Sequence, residues 1–500
     1  MSDADQPTEQ PLVGNGSDEP GLEWGSRKAR LALTATILGS GLAFLDGSVV
    51  SVALPFIERD LGGGLATLQW IFDGYLLTLG SLVLVGGSLG DLLGKRRIFV
   101  IGTIGFGITS LMCGLAPTAF ALVVARMLQG VAAALLVPTS LAILNSVFTG
   151  PNRGRAIGAW SGLAGLFTAF GPFVGGVLVE SLPSGWRWVF LINLPLVIGA
   201  LWLAKLGIPN IPGTRTSAPI WSQVDVLGGI LAVVGLGLIV GPLIEVQRLP
   251  GALTAGLVAL GVIILGLFGW VEIRRERTMA PPPMIRLSLF RLRTFSVANL
   301  LTFIVYGALS GAFFLVTIAL QLGMGYSAIA AGTAGIPVTI MLALFSSRVG
   351  GLLPKVGARP LLTFGPLCMA VGILLLGVFK PGQSYWVGVL PGYLIFAIGL
   401  VFVVAPVTAT ALANVTGDLS GAASGVNNAL ARIAGLVAII FLPLAGGMAA
   451  SQETSLSTGL SFLTGYRTAM IVAAIVCAIG GLVALFGFKS NDGKLPTLPI

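Results

Sequence analysis

The chain has 500 residues, of which 55% are apolar and only 9% charged, with a formal net charge of +9, 3 cysteines and no histidine. So few charges cannot cover a water-soluble globule, so lipid must be the solvent, and cations scattered among apolar runs exclude a nucleic-acid patch. Without histidine, Ser-His-Asp triads and histidine metal sites are excluded, and any proton handled near neutral pH falls to a carboxyl group.

Residues 1–26 hold six acids and no base, with Pro, Gly, Ser and Gln, and read as a disordered tail that lacks the basic start of a signal peptide. Fourteen apolar runs of bilayer length follow, near 31–55, 68–90, 97–116, 119–142, 156–180, 187–206, 224–243, 252–271, 296–321, 328–352, 360–379, 387–412, 421–447 and 466–488. An even number puts both termini on one side. With the N-terminus inside, 21 of the 28 cations lie in inner segments and 5 in outer ones, leaving Arg126 and Arg432 within spans. That bias predicts cytoplasmic termini. Cys113, Cys368 and Cys477 fall far apart inside apolar runs and read as small core residues.

The chain divides into two comparable parts. GGSLGDLLGKRR (Gly86–Arg97) follows the second span, and SSRVGGLLPKVGARP (Ser346–Pro360) follows the tenth; both are glycine-rich turns with cations, and the second lacks the acid. The expected organisation is a six-helix bundle over 27–206, two inserted helices over 207–271, a charged linker with Pro281 to Pro283 over 272–295, a second six-helix bundle over 296–488, and a tail over 489–500. Internal repeats facing each other across a central site are a transporter design.

Charge inside a span is expensive, so each instance needs an account. Asp46, in AFLDGSVVSVALP, Asp73, in LQWIFDGYLLTLG, and Arg126, in LVVARMLQGVAAA, all fall in the outer half of their spans. An arginine beside either acid would favour its charged form and burial the neutral one, a balance that sequence leaves open. Asp46 is a candidate proton carrier, with a hydrogen-bonded structural acid as the alternative. Asp73 is a proton carrier, a structural acid or a counter-ion for a cationic substrate. Arg126 reads as a fixed partner rather than a substrate ligand, and Arg432 has no partner that sequence can name. Asp91 can pair with Arg96 or Arg97, or face a helix N-terminus of the other half, and so hold the halves closed on the inside. The alternative is a solvated acid beside Lys95, Arg96 and Arg97 acting only as positive-inside anchors. Phe44, Trp70, Phe72, Tyr75 and Trp160 are placed to supply apolar or cation–π contacts in a central cavity, or to be ordinary core and lipid-facing aromatics.

Several stretches resemble a known family. Gly87, Leu89, Asp91, Gly94, Lys95 and Arg96 match motif A of the major facilitator superfamily. GLAGLFTAFGPFVGG (Gly162–Gly176), with Gly165, Gly171, Pro172, Gly175 and Gly176, resembles its antiporter motif C; on its own terms the run marks a helix that can bend and be approached closely. LDGSVVSVALP (Leu45–Pro55) is similar to the first-span motif of the fourteen-span drug:proton antiporters, the EmrB/QacA group, departing at Gly47 and Ser48 where an x-Thr pair is usual. RMLQG (Arg126–Gly130), WRWVFLINLP (Trp186–Pro195) and FRLRTFSVANL (Phe290–Leu300) also look like family sequence. The resemblance implies an all-α integral membrane protein of the major facilitator fold, with two inserted helices making fourteen. It also implies proton-driven export and functional roles at Asp46, Asp73, Asp91 and Arg126.

The expectation is a monomeric antiporter of the inner or plasma membrane, working on small molecules and protons, without cofactor, metal or nucleic acid. It would be a transporter and not an enzyme. The rivals are an exporter of a lipid, peptide or endogenous metabolite, a uniporter, and a membrane-embedded enzyme or sensor.

Overall fold

The computed structural model describes residues 22–214, 218–279, 281–413, 415, 419–448, 459–489 and 492. Most of the expected N-terminal tail and of the C-terminal tail therefore lies outside the described residues. Fourteen helices are long and apolar enough to cross a membrane: α1 (Arg27–Leu61), α2 (Gly64–Leu93), α3 (Lys95–Gly114), α4 (Ala119–Val147), α5 (Asn152–Ser181), α6 (Gly185–Gly207), α7 (Val226–Ile244), α8 (Gly251–Thr278), α9 (Arg293–Gly323), α10 (Ala328–Gly350), α11 (Ala358–Gly377), α12 (Tyr385–Leu412), α13 (Ala422–Ala445) and α14 (Phe462–Gly487). Among the described residues there is no strand. The protein is thus an all-α, multi-pass membrane protein.

Short polar signals start these helices. Ser26 and Thr118 cap α1 and α4 by accepting from the amides of Ala29 and Ala121, each at 3.2 Å. A single residue, Gly94, separates α2 from α3; its φ of 98° is a conformation that a side chain would disfavour. Lipid supplies no hydrophobic force between helices, so close packing holds them together. A Cβ on Gly102 of α3 would stand 3.0 Å from the Leu136 nitrogen of α4.

Helices α1 to α6 pack mainly on one another, as do α9 to α14. The α7–α8 hairpin packs on itself and against α2. Its second helix runs through Thr278, well into the stretch expected to be linker, because the charged RRERT segment continues the same hydrogen-bonded register. The remaining linker is pinned down: Glu272 accepts from the Ile285 amide at 2.7 Å, Glu276 from the Ser288 amide at 3.1 Å, and Arg275 pairs with Asp225. Leu289 is buried beside Phe295, Ala423 and Val426, so the linker touches the start of α13.

Two seams join the halves, α2 with α13 and α5 with α10. Hydrogen bonds between the halves, one of them joining α9 to α1, gather toward the face opposite the Gly86–Arg97 turn. Gln69 Nε2 donates to Ile439 O (2.9 Å), Gln321 Nε2 to Val52 O (3.2 Å) and the Ile329 amide to Glu180 Oε1 (3.1 Å). There α5 and α10 meet backbone to backbone: a Cβ on Gly176 would stand 2.6 Å from the Ala328 carbonyl oxygen. Toward the turn face the seam loosens, and Leu163, Leu166, Ile340 and Leu344 are exposed.

Candidate functional site

The first half holds a polar network in its apolar core. Asp46 of α1 and Arg126 of α4 form an ion pair with no solvent exposure on either side. The other Asp46 oxygen, Oδ1, accepts from Gln129 Nε2 at 3.0 Å and from Asn193 Nδ2 at 3.1 Å. Gln129 Oε1 in turn accepts from Arg126 at 2.7 Å, and Arg126 Nε donates to the Ile71 carbonyl of α2 at 3.0 Å. Ser110 of α3 accepts from Gln129 (2.9 Å) and Asn193 (3.3 Å), and Arg126 Nη2 and Asn193 Oδ1 are the network's buried atoms without a partner. The Arg126 guanidinium carbon stands 4.3 Å from the Tyr75 ring centroid, within cation–π range. Five helices are thereby tied to one carboxylate. This is the condition for keeping a charge out of water: an opposite charge, and hydrogen bonds on the remaining lone pairs.

Asp73 is not part of that network. It is fully buried, and neither carboxylate oxygen has a hydrogen-bond partner. Its place in α2 follows from helical register. Gln69 reaches Ile439, Phe72 meets Phe314 edge-on at 5.8 Å, and Gly80 lies against Arg432, so this stripe faces the second half. Asp73 lies in it. Of the two acids, Asp46 has the arginine as its partner and Asp73 has burial alone.

Phe72 aside, the candidate cavity aromatics separate into three groups. Trp70 leaves the central region: its Nε1 donates to Glu245 Oε1 at 3.0 Å, because α7 packs on that side of α2. Tyr75 is buried in the core, donating to the Ala43 carbonyl at 3.2 Å beneath Arg126. Phe44 and Trp160 stay together, ring centroids 6.1 Å apart, and the Arg432 guanidinium carbon of α13 comes within 5.8 Å of the Phe44 ring.

Asp91 pairs with Lys95 at 3.5 Å, one helical turn on, and not with Arg96 or Arg97. Arg96 instead donates to the Lys205 carbonyl at 3.3 Å, while Lys95 donates to Ser146 at 2.7 Å. Gly86 and Gly90 let α2 lie on α4, near Ala134 and Thr139, and Gly87 lies near Pro138. The turn is braced inside its own half. Along α5, Gly171 and Gly175 press on α1 near Ser48 and Val49, Gly176 meets α10, and the Pro172 carbonyl meets Gly332 of α10. Gly165 faces open space.

Sequence reasoning passed over Ser110, Gln129 and Asn193 because it followed formal charges only. The available signal was an amide in an otherwise apolar run, twice within the recognised stretches RMLQG and LINLP. The same signal marks Asn427 in the second half, which donates to Asn299 Oδ1 (3.1 Å) and Thr302 Oγ1 (2.9 Å).

A family model described as Major Facilitator Superfamily matches residues 36–439. The chain belongs to that superfamily. Relatives of this major facilitator include the puromycin resistance protein pur8 of Streptomyces alboniger, 36% identical over 410 residues that cover 80% of this chain and 78% of that protein. Multidrug resistance protein Stp of Mycobacterium tuberculosis is 33% identical over 433 residues, 86% and 78% of the two chains. The tetracenomycin C resistance and export protein of Streptomyces glaucescens is 30% identical over 403 residues, 81% and 73%. Among solved structures, a bacterial homologue of the human lysosomal transporter Spinster, inward-facing and occupied, shares the fold with a TM-score of 0.65 at 16% identity. That match covers 95% of this chain and all of the other. As a member of the superfamily, with fourteen spans, the protein is a transporter that carries small molecules across a membrane.

Proposed function

We propose that this facilitator exports small amphipathic or lipophilic compounds, of the multidrug or antibiotic kind, across the cell membrane in exchange for protons. Relatives named for drug resistance and export support the direction and the substrate class. The skew of the cations supports cytoplasmic termini and a cytoplasmic turn face. In that orientation the tight outer α5–α10 seam corresponds to a state closed outside. Residues 27–206 and 296–488 act as the two rocking units of a single copy, with α7, α8 and the linker riding along.

The observation that carries proton coupling is Asp73. A charged carboxylate there would have no partner, at a cost on the order of 3 kcal/mol or more at mid-membrane. A proton from outside removes that cost and lets α2 pack on α13. Release of the proton toward the cytoplasm restores the charge and favours the state in which α2 and α13 part and Asp73 meets water. Asp46 and Arg126 supply the fixed end of this device, because their mutual neutralisation holds α1, α2, α4 and α6 as one body while the seam moves.

The test is proton flux in proteoliposomes under an imposed pH gradient, with a panel of lipophilic drugs and, for the rival reading, lipids, peptides and metabolites. The native protein is expected to move protons only when a transported drug is present. Asp73→Asn, a permanent mimic of the protonated acid, is expected to retain drug binding and downhill exchange and to lose gradient-driven accumulation. Full accumulation by Asp73→Asn would remove Asp73 from the coupling, and drug movement indifferent to the gradient would make the protein a uniporter.

A further inference from the structure

Outside the Asp46–Arg126 network, Asp73 and the linker, the buried side-chain atoms without a hydrogen-bond partner among the described residues are Ser81 Oγ, Trp160 Nε1 and Arg432 Nε, and the last two flank Phe44. Phe44 of α1 and Trp160 of α5 come from the first half, Arg432 of α13 from the second. Trp160 Nε1 is buried with no acceptor, and so is Arg432 Nε. Among the described residues no carboxylate pairs with Arg432. Its stem is seated, with Cβ 3.5 Å from where a Cβ on Gly80 would stand, so the guanidinium is held beside the Phe44 ring.

Buried polar groups are nearly always satisfied, and exceptions call for an explanation. Here both exceptions are donors, and an indole N–H and a guanidinium have nothing else to offer. A neutral hydrocarbon would leave both unpaired. A cation would meet Arg432 with like charge. An anionic oxygen is an acceptor suited to either donor and neutralises the arginine, and the Phe44 ring, within 6.1 Å of the Trp160 ring and 5.8 Å of the guanidinium carbon, offers an apolar surface for a flat ring system. We propose that Phe44, Trp160 and Arg432 form a substrate subsite for flat aromatic compounds that carry an anionic oxygen, a carboxylate or an ionised phenol. The oxygen accepts from Arg432 and Trp160, and the ring lies against Phe44. This deepens the export reading and rests on it, since the subsite lies between the moving halves.

Equilibrium dialysis tests it, using the full-length protein in lipid nanodiscs with anthraquinone-2-carboxylate, its carboxamide and ethidium as probes. The native protein is expected to bind the carboxylate about tenfold or more tightly than the carboxamide, the worth of one charge-assisted hydrogen bond, and ethidium should not displace it. Arg432→Gln should make carboxylate and carboxamide equal, and Arg432→Lys should restore most of the preference. Trp160→Phe should weaken the carboxylate by about threefold or more while sparing the carboxamide less than twofold change. A native protein without preference for the carboxylate, or an Arg432→Gln protein that keeps it, overturns the subsite. If Arg432→Gln does not purify as a folded protein, Trp160→Phe decides, and an unchanged carboxylate affinity overturns the proposal. Binding needs no gradient, so failure of proton-driven export would leave this result readable.

Discussion

The two halves of the molecule solve the problem of buried polarity in different ways. The first encloses a formal ion pair, Asp46 with Arg126, and surrounds it with Gln129, Asn193 and Ser110. Near the start of α9 the second encloses a neutral cluster, Asn427 with Asn299 and Thr302, and the guanidinium of its mid-span Arg432 lies beside Phe44 of the first half. The neutral cluster is self-contained. The ion pair makes each partner dependent on the other, since removing one strands a charge in a medium that cannot solvate it. The first half therefore holds its core together by charge, and the second by neutral hydrogen bonds.

That contrast can be broken or sharpened by three substitutions. The largest effect is expected from Arg126→Ala, which leaves Asp46 as a buried charge supported only by two amides. It should cost about 3–5 kcal/mol, read as a fall in the detergent-solubilised melting temperature and as lost transport. Asn427→Ala removes two neutral hydrogen bonds and should cost only about 1–2 kcal/mol in the same melt. A loss as large as that of Arg126→Ala would mean that the halves are not distinguished by charge. The smallest effect is expected from Asp91→Asn. Its pair with Lys95 is exposed, with 65% of the Asp91 side chain accessible, so stability should change by less than about 1 kcal/mol. A large loss of transport by a stable Asp91→Asn protein would then point to a contact made only in the other conformation, in line with the sequence expectation of a clasp between the halves.

The membrane segments were legible because a span announces itself through length and composition, which are properties of the chain. Asp46 meets Arg126, and Arg126 reaches the Ile71 carbonyl two residues before Asp73. Such neighbours were not legible. Asp46 and Asp73 looked alike in sequence, yet one carries three donors and the other none. Trp70 and Trp160 were both candidate cavity residues, yet an inserted helix claims the first.

From the residues alone it followed that the chain crosses a bilayer fourteen times, that its cations favour one side, and that its glycine-rich runs belong to a transporter family. Folding alone decided which acid met the arginine, which indole lost its acceptor, and which seam closed. Hydrophobicity and helix periodicity are local sums along the chain and can be read from it. An ion pair or an orphaned donor depends on which helices become neighbours and how each is rotated, and those choices are made only when all fourteen pack at once.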